Sequence, residues 1–231
     1  MNVELLARPA STAAKVVLAG GETVTAEGGS MIAMSDDMQV DTRVRRNEGS
    51  GGGGLLRGMA RRLAGEGIFL NHYTAGASGG ELYLATGLPG DMEVIELDGS
   101  TPVSVQNSSF VAHEGGVEMN VSWGGMKNVF SGESLIWLRM SGAGKVVLNA
   151  FGAIYPVRVD GEYVVDTGNI AAFEETLEFK VTKAGKSLVG SIAGGEGLVC
   201  RFSGTGTVWC QTHADRTFGA KLTPHLVPKK N

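Results

Sequence analysis

Residues 195–212 read GEGLVCRFSGTGTVWCQT, and residues 132–150 read GESLIWLRMSGAGKVVLNA. A third stretch, GEGIFLNHYTAGASGGELYLA at 65–85, follows the same plan. Each opens on Gly-Glu, continues through an apolar run, crosses a Gly-rich connection and enters a second apolar run. The three starts at 65, 132 and 195 are 67 and 63 residues apart, and near-equal spacing is the mark of tandem repetition. Two runs rich in Val, Ile, Leu and aromatics around a glycine connection predict a β-hairpin in each unit. The connections would be AGASGG (75–80), SGAG (141–144) and SGTG (203–206).

A second recurring piece precedes each of these. VVLAGGETVTAEGGSMIAM (16–34), VIELDGSTPVSVQNSSFVAH (94–113) and VRVDGEYVVDTGNIAAF (157–173) each hold an apolar strand, a turn, another strand and a small-residue corner. The turns fall at Gly20–Gly21, Asp98–Gly99 and Asp160–Gly161, pairs suited to positive φ. The expected fold is all-β, three tandem units of roughly 65 residues packed face to face or about a pseudo-threefold axis. The expected organisation is one β-domain over 1–222, with units at about 1–90, 91–152 and 153–222, and a polar tail at 223–231. Glycine at 36 of 231 residues is about twice the usual ~7% share, and with no G-X-Y period it points to many tight turns.

One stretch breaks the β pattern. In GSGGGGLLRGMARRLAGEG (49–67), Leu55, Leu56, Met59, Ala60 and Leu63 fall on one helical stripe, predicting a short helix near 55–64 inserted in the first unit. Leu55, Leu56, Met59 and Leu63 are candidates for subunit docking. Arg43, Arg45, Arg46, Arg57, Arg61 and Arg62 face the single acid Glu48 within 43–64, a local charge of +5 on a chain whose net charge is −4. These six arginines are candidates for anion binding, to nucleic acid or to an acidic membrane surface. The overall negative charge argues against a general nucleic-acid binder.

The chemical motifs fail on inspection. GSGGGGLLRG lacks the Lys and the Ser/Thr that a P-loop needs for phosphate and magnesium. Gly185-Lys186-Ser187 ends like that motif, but Lys180 stands where its first Gly belongs. GTGTVW (204–209) lies in a predicted hairpin, not in the βαβ unit of a dinucleotide fingerprint. His72, His113, His213 and His225 show no metal-ligand spacing. Cys200 and Cys210 flank the last connection; they read as buried thiols, with a cross-hairpin disulfide as the alternative. Glu66, Glu133 and Glu196 recur at the unit starts, which suits a structural role better than a catalytic cluster. No catalytic, cofactor or metal site is expected, and no G-x-S-x-G elbow is present. The N-terminus lacks a signal-peptide pattern, no run approaches the ~18 apolar residues of a membrane span, and two cysteines suit a reducing compartment, so the expected location is cytoplasmic.

With these residues in view, the chain resembles the altered-inheritance-of-mitochondria-24 (mitochondrial biogenesis) family. The resemblance rests on GGLLRGMARRLAGEGIFLNHYTA (53–75), LPGDMEVIELDG (88–99), FGAIYPVRVDGEYVVDTGNIAAF (151–173) and GEGLVCRFSGTGTVWCQT (195–212). It implies an all-β fold similar to the tryptophan RNA-binding attenuation protein, duplicated within one chain and prone to symmetric assembly. In the mitochondrial branch it implies a link to inner-membrane organisation, and it supplies no catalytic residues. The leading expectation is a non-enzymatic, homo-oligomeric β-scaffold or interaction protein with an unidentified protein partner. An anion-binding module, and a small-ligand binder or enzyme with a site between units or subunits, are the alternatives.

Overall fold

The computed structural model describes residues 1–45, 68–123, 136–183 and 198–226. The first part of the chain supplies β1 (Asn2–Leu6), β2 (Ala13–Leu18), β3 (Thr23–Glu27), β4 (Met31–Met34), β5 (Gln39–Arg45), β6 (Ile68–Thr74) and β7 (Gly80–Leu84). The middle supplies β8 (Met92–Asp98), β9 (Val103–Gln106), β10 (Phe110–Glu114), β11 (Val117–Trp123) and β12 (Ile136–Asn149). The last part supplies β13 (Ile154–Asp166), β14 (Ile170–Glu174), β15 (Glu178–Lys183), β16 (Leu198–Gln211) and a short helix α1 (Asp215–Leu222). The expected all-β class holds. The helix expected near 55–64 lies outside the described residues.

Local sequence explains the strands. In β2 the buried Ala14, Val16 and Leu18 alternate with Lys15 and Val17, the period-2 pattern of a strand with one face on a core. Asp98–Gly99 makes the expected turn: Gly99 takes φ +88°, and the Asp98 carboxylate accepts from the Ser100 amide at 2.8 Å. Gly21, at φ +77°, does the same between β2 and β3.

The predicted hairpins are absent. SGAG lies inside β12 and SGTG inside β16, each a single strand of 14 residues. The two halves of β12 pair with different neighbours instead of with each other. Ile136–Gly142 runs against β11, from Trp123 to Val117, and Ala143–Asn149 runs against β8, from Asp98 to Met92. Gly142 (φ +90°) and Gly144 (φ +139°) supply the bend, with Gly204 (φ +115°) doing so in β16. Asp160–Gly161 is likewise no turn, because β13 runs unbroken through it and pairs with β16 from Ile154–Gln211 to Asp166–Val199. In the first part the corresponding runs are separate strands: β6 pairs with β3 and β5, and β7 pairs with β2 and β4. A glycine between apolar runs permits either a turn or a bend. The long-range partners choose between them.

The described strands form two sheets. The smaller runs β1-β2-β7-β4. The larger runs β13-β16-β14-β9-β12-β10-β3-β6-β5, with β8 and β11 also on β12 and β15 also on β16. The short strands β4, β10 and β14 each enter through a register shift, at Met31/Ala33, Phe110/Ala112 and Ile170/Ala172. At the end of each of them a side-chain oxygen accepts from the amide that follows the Gly-rich connection on the strand opposite. Ser35 Oγ accepts from the Glu81 amide, Glu114 from the Lys145 amide at 2.9 Å, and Glu174 from the Thr207 amide; the first and last are 2.8 Å.

Three apolar clusters make up the described core, and they borrow from neighbouring segments. Trp137 of β12 packs into the third cluster, edge-on to Phe173 with ring centroids 5.1 Å apart, beside Phe179 and Phe202. Leu70 of β6 packs into the central cluster. Such crossings tie successive parts of the chain into one body.

Candidate functional site

Two strand edges stand out because their counterparts inside the molecule are covered. Strand β10 lies between β12 and β3, and β14 lies between β16 and β9. Strand β4, by contrast, ends its sheet with β7 as its paired neighbour. In β10 and β14 the pairs Phe110–Val111 and Ile170–Ala171 are fully buried, whereas Met31 is 42% and Ile32 59% exposed. Strand β13 ends the other sheet, and on its second half Tyr163 and Val164 are each 45% exposed. An unpaired strand edge offers a row of free N–H and C=O groups, and apolar side chains beside it favour another strand over water. Met31 and Ile32 carry no distinguishing signal in the sequence, because SMIAM reads the same as the buried SFVAH and NIAAF.

Several charged groups are held in clamps between distant segments. The Asp91 carboxylate, only 4% exposed, accepts from Arg8 Nε at 2.9 Å, Arg8 Nη2 at 2.8 Å, Thr12 Oγ1 at 2.8 Å and the Met92 amide at 2.9 Å. Burial alone would raise its pKa, but the Arg8 guanidinium, Thr12 hydroxyl and Met92 amide outweigh that and hold it below the ordinary aspartate value. The Met1 amine donates to Glu114 at 2.8 Å and to Glu22 at 3.1 Å, and these acceptors raise its pKa against the cost of burial. Glu175 joins the middle to the last part, accepting from Arg139 Nε at 2.8 Å and Ser104 Oγ at 2.9 Å.

The candidate residues named from sequence are placed as follows. Arg43 and Arg45 fall on β5, whose backbone pairs with β6, and their side chains are outside the described residues. Arg46, Arg57, Arg61 and Arg62 lie wholly outside them, as do Leu55, Leu56, Met59 and Leu63 and the recurring Glu66, Glu133 and Glu196. Three of the four histidines are hydrogen-bonded through Nδ1: His72 with Thr25 Oγ1 at 2.8 Å, His113 with the Glu114 carbonyl at 2.9 Å, and His213 with Thr212 Oγ1 at 2.9 Å. Among the described residues no three His, Cys, Asp or Glu side chains gather as metal ligands, and no helix is long and apolar enough to cross a membrane.

Cys200 and Cys210 are free and buried. Both lie on β16, where Cys200 faces Val165 and Cys210 faces Tyr155. They are ten positions apart on the strand, about 33 Å of contour at ~3.3 Å per residue, so the cross-hairpin pairing has no hairpin to act across. Burial pushes the Cys200 thiol up to about 12, with Asp166 adding to it, and the Cys210 thiol up to about 11. They behave as small apolar side chains.

Comparison with known proteins places this framework. The model of the family described as mitochondrial biogenesis AIM24 matches residues 3–213. The chain belongs to that family. An uncharacterised protein of Streptococcus pyogenes serotype M6 is 25% identical over 221 residues, covering 94% of this chain and 88% of that protein. A crystal structure of a Streptococcus pyogenes protein superposes with a TM-score of 0.78 at 22% identity, covering 97% of this chain and 99% of that one. The AIM24 match runs from β1 past the end of β16 and takes in the edges of β4 and β13.

Proposed function

We propose that this AIM24-family chain is a non-enzymatic β-scaffold that acts as an assembly of copies of itself, built from three related β-units. The observation that carries the reading is the placement of Met31, Ile32, Tyr163 and Val164, apolar and exposed, on strand edges without a described partner. Large apolar side chains on an open edge leave a monomer prone to strand addition, and proteins that remain monomeric blunt such edges with charge or proline. The three-unit reading is supported by the register shift common to β4, β10 and β14, and by the side-chain oxygen at the end of each that accepts the amide after the Gly-rich connection on its paired strand.

Light scattering coupled to size exclusion at micromolar protein tests the assembly. A mass that is a multiple of the 24.0 kDa chain is expected. A strictly monomeric mass across the accessible concentrations would refute it.

A further inference from the structure

We infer that β4 of one copy pairs antiparallel with the second half of β13 of the next, Ala33 opposite Val165, so that copies join head to tail. This rests on the assembly proposed above and specifies its contact.

The template is present twice inside the chain. Strand β10 pairs with β3 as Ala112–Ala26, His113–Thr25 and Glu114–Val24. Strand β14 pairs with β9 as Ala172–Val105, Phe173–Ser104 and Glu174–Val103. In both seams a strand entered through a register shift meets a strand that comes earlier in the chain.

Each half of the third seam is identified by its other neighbour. Ala112 faces Val147 of β12 and Ala172 faces Trp209 of β16; Ala33 takes the matching place against Tyr83 of β7. On the receiving side, Ala26 faces Asn71, Val105 faces Leu138 and Val165 faces Cys200, each on the long strand or its split equivalent. The sequences agree: Val24-Thr25-Ala26-Glu27, Val103-Ser104-Val105-Gln106 and Tyr163-Val164-Val165-Asp166 each put a polar residue last. The first three residues of β3's and β9's segments are buried, but Tyr163 and Val164 are exposed. Likewise β10 and β14 are buried at their first four positions, while Met31, Ile32 and Ala33 are exposed. Both exposures have one cause, a missing neighbour.

The two edges belong to different sheets, and within one copy β4 pairs with β7 and β13 with β16. One copy therefore carries a donor edge and an acceptor edge, the condition for a heterologous contact that repeats from copy to copy. A second copy is the occupant whose edge already has the matching length, register and polarity.

The test uses Ile32→Asp and Tyr163→Asp in the full chain. Both side chains are exposed in the single copy, so each variant is expected to fold, with circular dichroism and melting as controls. Each variant alone is expected to fall to the one-chain mass. Mixed together, they retain one good seam, β4 of the Tyr163→Asp copy on β13 of the Ile32→Asp copy, and a two-chain species is expected. Wild-type mass retained by both variants, or no association in the mixture, would overturn the seam while leaving assembly by another face in place. A monomeric wild type would overturn the seam and the assembly together. Hydrogen exchange on the wild type gives an answer that needs no variant. Amides of 31–34 and 163–166 should gain protection as concentration rises, and free exchange in the assembled protein would overturn the pairing.

Discussion

Replacing Asp91 by Ala should be the most damaging removal of a single carboxylate in the first half of the chain. Asp91 is almost fully buried and accepts four hydrogen bonds, three of which join the segment after β1 to the start of β8, while the fourth comes from the Met92 amide. Arg8 is 43% exposed and recovers water when its partner goes, so its share is small. Thr12 Oγ1 and the Met92 amide are buried and stay without their acceptor, each at about 1–3 kcal/mol. The sum is about 3 kcal/mol, which in a chain of this size lowers Tm by roughly 6–12 °C. Urea unfolding should show a lower midpoint at an unchanged slope.

The pH dependence carries a sign. The folded pKa of Asp91 lies below the unfolded value, so its contribution is present above the unfolded pKa and is lost as pH falls through the lowered folded pKa. The gap between wild type and Asp91→Ala should therefore be flat from pH 7 down to about 4 and narrow below that. A loss under about 1 kcal/mol at pH 7 would refute the reasoning, because it would mean that the two buried donors find other partners at no cost.

Gly142 and Gly161 separate two causes of strain. Both have positive φ, but a Cβ on Gly142 would stand 2.6 Å from the Gly116 carbonyl oxygen, while one on Gly161 meets nothing within 4 Å. Gly161→Ala should cost about 1 kcal/mol and Gly142→Ala at least twice that in chemical denaturation; equal losses would show that the bend in β12 is not sterically fixed. Trp137 has a buried indole Nε1–H without a hydrogen-bond partner among the described residues, so Trp137→Phe should cost less than about 1.5 kcal/mol, whereas Trp137→Ala should cost about 3–5 kcal/mol. Cys200 and Cys210 should resist a thiol reagent at pH 8 in the native protein and react in denaturant; fast native labelling would contradict their burial.

The same residues show what could and could not be read from the chain. Alternation such as Ala14, Val16 and Leu18 is local, and it gives the strand class directly. The glycines of SGAG and SGTG are local too, but whether they turn a chain or bend it depends on strands β8, β11, β13 and β15, which are distant in sequence. The hairpin expectation failed at that point. The Arg cluster of 43–62 drew attention because charge is conspicuous in a sequence. The edges on which the proposed function rests are inconspicuous: Ile32 occupies the same pattern position as Val111 and Ala171 and reads as core in all three. In β10 and β14 that reading is right, because β3 and β9 lie alongside. In β4 no such neighbour is described. A residue with the pattern of a core position but the exposure of a surface one gains from burial against another strand, and strand order says where to look. The segment that could cover β4 must resemble β3 and β9, and Tyr163-Val164-Val165-Asp166, itself uncovered, is the stretch of this chain that does so.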